Sequence, residues 1–237
     1  MDTVHTIRTL AESLGTDYFG IADLSGSRDF ILMQGGPEIA NYPTGVIMGI
    51  VLNDILVELL PDREKNGGSP LYKNHAYDVV NALLDQIALR VANAIQNGGY
   101  NAFPVAASRR TDEARICGPF SHKLAAHRAG LGWIGKSCLL VTPDHGPRVR
   151  WVTVLTDAPL APTGSPMDSR CGNCMECVTH CPVQTFTGRL FDENEPREAR
   201  FDAAACDRFF KEEEARTGVA VCGMCLWACP FGRVKRK

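Results

Sequence analysis

Apolar residues recur at helical spacing through Val4, Ile7, Leu10, Ala11 and Leu14, and Gly15 follows as a stop. That pattern predicts an opening helix, with a short strand over residues 18–22 after it. Residues 24–44 carry Gly26, Gly35, Gly36, Pro37 and Pro43 and are expected to be rich in loop. The run GVIMGIVL over residues 45–52 is continuously apolar and of strand length, as in the middle of a sheet. Residues 61–70 are polar and break the pattern. Tyr77, Val80, Leu84, Ile87, Val91 and Ile95 then trace one face of a long helix ended by Gly98 and Gly99. Further on, a strand is expected over 102–106 and a helix over 120–129, ended by Gly130. Two more strands, 137–142 and 148–156, flank the turn at 143–147.

Residues 158–168 hold three prolines and a glycine, a composition that marks a boundary. The chain is therefore expected to divide into an α/β domain over 1–160 and a cysteine-rich domain over 161–237. Its 237 residues are 45% hydrophobic and 22% charged, as in a globular protein, and the net charge of −2 speaks against a broadly basic surface for nucleic acid. One basic cluster stands at 233–237 and reads as a solvated terminus. The first residues lack a signal-peptide pattern, and the longest apolar run is far short of a membrane span. No membrane association and a cytoplasmic location are expected.

The candidate chemistry lies in the cysteines. Cys171, Cys174, Cys177 and Cys181 are spaced C-x2-C-x2-C-x3-C-P, and Cys222, Cys225 and Cys229 are spaced C-x2-C-x3-C-P. Cys206 supplies an eighth thiol. Two 4Fe–4S clusters need eight thiolates, and in two-cluster ferredoxins the last cysteine of a run serves the other cluster. The spacing assigns Cys171, Cys174, Cys177 and Cys229 to one cluster, and Cys181, Cys206, Cys222 and Cys225 to the second. Structural zinc sites or a disulfide framework are the alternatives, and neither needs the trailing Cys-Pro. Thiolates kept for iron imply a reducing, anaerobic setting.

A second passage, AGLGWIGKSCLLVTPDHGPRVRWVTVLTDAPL over residues 129–160, holds Gly130, Gly132, Gly135 and Lys136, a turn with Gly146, and then Arg148 and Arg150. Glycines let backbone N–H groups approach a ligand, and alternate arginines on a strand share one face suited to phosphate or carboxylate. Turns, close packing and a solvated strand face would produce the same residues. The spacing is neither a dinucleotide fingerprint nor a P-loop.

The order of these passages resembles the epoxyqueuosine reductases and the related corrinoid-dependent reductive dehalogenases. LGTDYFGIADL (14–24) resembles the family's entry helix and strand. AGLGWIGKS (129–137) is close to the epoxyqueuosine reductase version, and TPDHGPRVRWVTVLTDAPL (142–160) to the dehalogenase version. The two cysteine runs follow at the expected distance. The resemblance implies a nitroreductase-like α/β domain that binds cobalamin, followed by a ferredoxin-like domain. It places Gly130, Gly132, Lys136, Ser137, Gly146, Arg148 and Arg150 near the tail of a base-off cobalamin.

Counting back from Gly130 to Pro119 puts Ile116 where the epoxyqueuosine enzymes carry an aspartate acid. His122, then Cys117, then Tyr18 are the candidates to donate the proton instead. The resemblance thus implies an oxidoreductase passing electrons from a ferredoxin or flavodoxin through two clusters to cobalamin, for reductive cleavage of a small-molecule substrate. A corrinoid-handling protein or a plain two-cluster electron carrier is the alternative. The chain ends at Lys237 without the C-terminal extension of the long tRNA-acting enzymes, and with its net charge of −2 no tRNA partner is expected.

Overall fold

The computed structural model of the protein describes residues 3–233, so residues 234–237 of the basic C-terminal cluster lie outside the described residues. The chain forms two compact units that interleave along the sequence: residues up to 50, 80–132 and 150–167 make one, and residues 51–79, 133–149 and those from 168 onward make the other. A boundary at residue 160 therefore lies near the start of the cysteine-bearing segment but encloses neither unit.

The first unit is built on a four-stranded sheet. Strand β1 (Tyr18–Asp23) runs antiparallel to β2 (Thr44–Val51), with Ile21 opposite Val46 and Gly20 opposite Ile47. Strand β3 (Ala102–Val105) is an edge and pairs antiparallel with β4 (Val149–Thr156), which is bonded to β2 on its other side. Residues with no exposed surface, including Val46, Ile47, Met48, Val152 and Val154, fill the two central strands, as a continuous apolar run requires. Pro104 stands on the edge strand, where a missing N–H is tolerated.

Helices cover this sheet as their periodicity predicts. Helix α1 (Thr3–Ser13) buries Ile7 and Ala11. Residues 24–44, expected as loop, hold α2 (Arg28–Ala40). Helix α3 (Val80–Asn97) buries Val80, Leu84, Ile87, Val91 and Ile95 along one stripe and packs on α1 and β3. Helix α4 (His122–Arg128) packs on β1. The turn-forming residues of α2 act as a kink: Gly36, at φ 80°, interrupts the helix, and Pro37 opens its second half. Gly35 has a different reason, because a Cβ there would collide with the carbonyl oxygen of Pro119.

The second unit is made of short elements. Helix Asp54–Glu58 is capped by Asn53, whose side chain accepts the N–H groups of Ile55 and Leu56. The two-residue strands Trp133–Ile134 and Leu140–Val141 pair antiparallel, so the first half of the strand expected over 137–142 is a turn, with Cys138 at φ 55°. Helix α5 (Ala203–Thr217) starts at the Asp202 cap and ends at Gly218, which is left-handed. Among the described residues no helix is long and apolar enough to cross a membrane.

Gly35→Ala is expected to destabilise the first unit by roughly 1–3 kcal/mol, since backbone must move to admit the methyl. A lowered thermal midpoint in far-ultraviolet circular dichroism checks this; an unchanged midpoint would show that α2 is free to shift.

Candidate functional site: two cysteine cages

Cys171, Cys174, Cys177 and Cys229 line one cavity in the second unit. The first three come from the turn and short helix that end at Thr179, where the Cys174 N–H donates to the Cys171 carbonyl at 2.9 Å. Cys229 arrives from the far end of the chain, just before Pro230. The opposite wall is the turn at Gly135, Lys136 and Ser137. A Cβ on Gly135 would sit 2.8 Å from the Val141 side chain and 3.5 Å from the Cys171 sulfur, so glycine lets the turn approach the cage. Burial, with the neighbouring thiols Cys229, Cys171 and Cys174 adding to it, pushes the Cys177 thiol up to about 12. The protein alone thus keeps this thiol protonated, and a cationic occupant is what would draw out the thiolate.

Cys181, Cys206, Cys222 and Cys225 line a second cavity. Cys206 rides on α5, while Cys222 and Cys225 flank Gly223, left-handed at φ 77°, where a Cβ would meet Leu60 at 2.7 Å. Burial pushes Cys225 well above the ordinary thiol range, with Cys222, Cys206 and Cys181 adding repulsion. Cys222 is raised by burial too, partly offset by the Met224 N–H and the Arg63 guanidinium. Arg63 lies 3.6 Å from Glu213 of α5, and both side chains are largely buried. Thr185 escaped the sequence reading: buried, it donates its backbone N–H to the Cys181 sulfur at 3.4 Å, with its hydroxyl 3.3 Å away. Its only signal was a threonine four residues after Cys181.

The eight thiols therefore gather in the two sets expected from the spacing. The residues expected to hold a cobalamin tail do not gather with one another. Lys136 donates to the carbonyls of Gly172 and Cys174 at 2.8 and 3.1 Å, and Ser137 is buried on the same wall of the first cage. Arg148 is 1% exposed, with its terminal nitrogens on Asp54 at 2.8 Å and Glu58 at 2.6 Å. Its guanidinium is thus held by two carboxylates in this structure. A Cβ on Gly146 would strike the backbone of Gly232, and one on Gly130 would lie 2.9 Å from the Ser165 carbonyl oxygen. Gly132 accepts from His127 at 3.2 Å. Arg150 donates to Asn81 at 2.9 Å in the first unit.

The candidate acids stand in the first unit. Ile116, Cys117 and His122 line one cavity of about 520 Å³ together with Arg109 and Arg110. Ile116 is held at φ 51°, a strained conformation for a β-branched residue. His122 places Nε2 3.1 Å from the Ala106 carbonyl and Nδ1 2.9 Å from the Thr153 hydroxyl. A carbonyl only accepts, so Nε2 carries the proton and Nδ1 accepts from Thr153. Burial brings the ring down to about 4, with Arg150 acting in the same direction. His122 is neutral near pH 7 with both nitrogens engaged, which does not suit the proton donor expected from the sequence. Tyr18 packs instead on Trp151, with ring centroids 5.5 Å apart.

Residues 170–232 match the model of a 4Fe-4S double cluster binding domain. A curated protein from Bacillus anthracis, epoxyqueuosine reductase, is 31% identical over 123 residues, which cover 48% of this chain and 30% of that protein. This chain is similar to the epoxyqueuosine reductases. The resemblance read from the sequence holds, and the chain spans about a third of the length of the curated relatives it matches. Two solved structures share the mixed helix-and-strand fold. A reductive dehalogenase superposes with a TM-score of 0.63 at 21% identity, covering 97% of this chain and 31% of that one. An epoxyqueuosine reductase solved with an epoxyqueuosine-modified tRNA stem loop gives 0.61 at 18% identity, covering 96% and 64%.

That last structure overturns the expectation that tRNA is an unsuitable partner. Net charge is a sum over the whole surface, whereas phosphate contacts are made by local groups of arginine and lysine. A chain at −2 can still present such a group.

The setting of His122 makes stability depend on pH. Its folded-state pKa of about 4 lies below the ordinary value of 6.5, so the folded form resists protonation. The contribution is complete above pH 6.5 and is lost as pH falls towards 4, amounting to about 1–3 kcal/mol. His122→Gln is expected to flatten the fall in thermal midpoint between pH 6.5 and 4 relative to the parent. Parallel curves for the two proteins would mean that another group governs this window.

Proposed function

We propose that the protein is a two-cluster iron–sulfur reductase. Cys171, Cys174, Cys177 and Cys229 hold one 4Fe–4S cluster, and Cys181, Cys206, Cys222 and Cys225 hold the other. The observation that carries this reading is that two sets of four thiols each enclose a cavity of their own. Among the described residues no three His, Cys, Asp or Glu side chains converge tightly enough for one metal ion. Each set surrounds a volume, which suits a cube of iron and sulfide better than a single zinc. All ten cysteines are free thiols, in keeping with a reducing cytoplasm where a ferredoxin or flavodoxin supplies single electrons.

Corrinoid dependence is proposed from likeness alone: the sequence resembles the corrinoid families, and the dehalogenase structure is described as suggesting a mechanism for B12-dependent dehalogenation. The residues expected to grip the cofactor's tail do not fit that task, because Lys136 and Arg148 are engaged within the second unit. No electron step beyond the two cages is therefore drawn. Ile116 and the doubly bonded, neutral His122 favour a second reading, in which the protein reduces a corrinoid for another protein.

Anaerobically reconstituted protein is expected to hold about eight irons per chain, and Cys206→Ala about half of that. Stoichiometric zinc, or four irons in the unmodified protein, would overturn the assignment. Cobalamin binding is read from its absorbance on titration. Turnover of an epoxyqueuosine-bearing tRNA stem loop or of an organohalide with a strong reductant supports the reductase; corrinoid reduction without turnover of either supports the second reading.

A further inference from the structure

Lys136 is a buried lysine held by main-chain carbonyl groups. Its side chain lies on the wall of the first cage, in a residue 8% exposed. The ammonium donates to the carbonyl oxygens of Gly172 and Cys174 and lies 3.6 Å from the Met175 sulfur. These three belong to the loop that carries Cys171, Cys174 and Cys177. Among the described residues no carboxylate pairs with it, whereas in the same unit Arg148 pairs with Asp54 and Glu58, and Arg63 with Glu213.

Carbonyl dipoles satisfy the ammonium's hydrogen bonds but leave its charge uncompensated. Buried charges are ordinarily paired. The groups across the cavity that could supply negative charge are the four thiols. As ligands of a cluster they are thiolates, and the assembly of four thiolates with a 4Fe–4S cube is anionic. It becomes more so on gaining an electron.

From this geometry we infer that Lys136 is the counter-charge of the first cluster, a positioning residue that fixes the Cys171–Cys177 loop and raises that cluster's reduction potential. The inference rests on reading the first cage as a cluster site. A fixed positive charge stabilises the reduced, more anionic state over the oxidised one, so electrons settle more readily on the first cluster than they would without it. The second cage faces a different balance, since the carboxylate of Glu213 lies beside Arg63 there. The two clusters of one chain are thereby set to different potentials by side chains outside the cysteine motifs.

The test uses the full chain, reconstituted anaerobically, with Lys136→Gln and Lys136→Arg. Glutamine keeps donors for the two carbonyls and removes the charge; arginine keeps both. Iron content is measured first, then the potentials of the two clusters by titration followed with electron paramagnetic resonance. Lys136→Gln is expected to move one of the two one-electron potentials to a more negative value by at least tenfold in the equilibrium, about 59 mV. The other should stay in place, and Lys136→Arg should lie near the parent. If both variants hold full iron and neither potential moves, the inference is wrong while the cluster assignment stands. If Lys136→Gln fails to assemble the first cluster, Lys136→Arg decides. Full iron with the parent potential supports the charge; failure of arginine as well makes Lys136 a packing residue and overturns the inference. If the unmodified chain holds no first cluster, both readings fall, and the iron measurement alone reports it.

Discussion

Gathering buried sulfur is the constraint on which the second unit depends. Each cage brings four buried or partly buried thiols together, and ionised neighbours raise a thiol's pKa, as the upward shifts at Cys177 and Cys225 record. The fold offsets this with donors and cations. N–H groups of Met224, Phe231 and Gly232 favour the thiolates of Cys222 and Cys229, Thr185 donates to Cys181, and Lys136 and Arg63 stand beside the two cages. What these groups leave uncompensated falls to the metal, which inverts the balance by binding only the ionised form.

The cage unit recruits chain far from its cysteines for the same reason. Residues 51–79 and 133–149 belong to it in space though not in sequence. The earlier segment brings Leu60 against Gly223 and Arg63 against Glu213. Asp54 and Glu58 of that segment hold Arg148, and Glu58 also accepts from the indole of Trp227, beside the second cysteine run. The later segment brings Lys136 to the first cage. An arginine and a lysine that read as an anion grip are thus parts of the cage's own framework.

Legibility followed the range of the interactions. The first central strand was readable as a continuous apolar run and α3 as an apolar stripe of period 3.6, both disclosed within a few residues. Helix α2 was hidden because Gly36 and Pro37 look like loop residues while forming a kink. Helix α5 was hidden because its buried residues include Asp207 and Glu213, so no apolar stripe marks it. His122 was legible as a candidate acid, but its tautomer was not, since Thr153 and the Ala106 carbonyl decide it from other elements.

By itself, the sequence determined that eight thiols form two sets of four. The closely spaced cysteines at the start of each run reach one small volume, the cysteine before proline serves the other, and a rigid cube tolerates few arrangements of its corners. Tertiary structure decided which charges face those volumes. Lys136 meets Gly172 across 36 positions and Arg148 meets Asp54 across 94. A charged side chain takes whichever partner the topology brings within a few ångströms, and no local spacing encodes that choice.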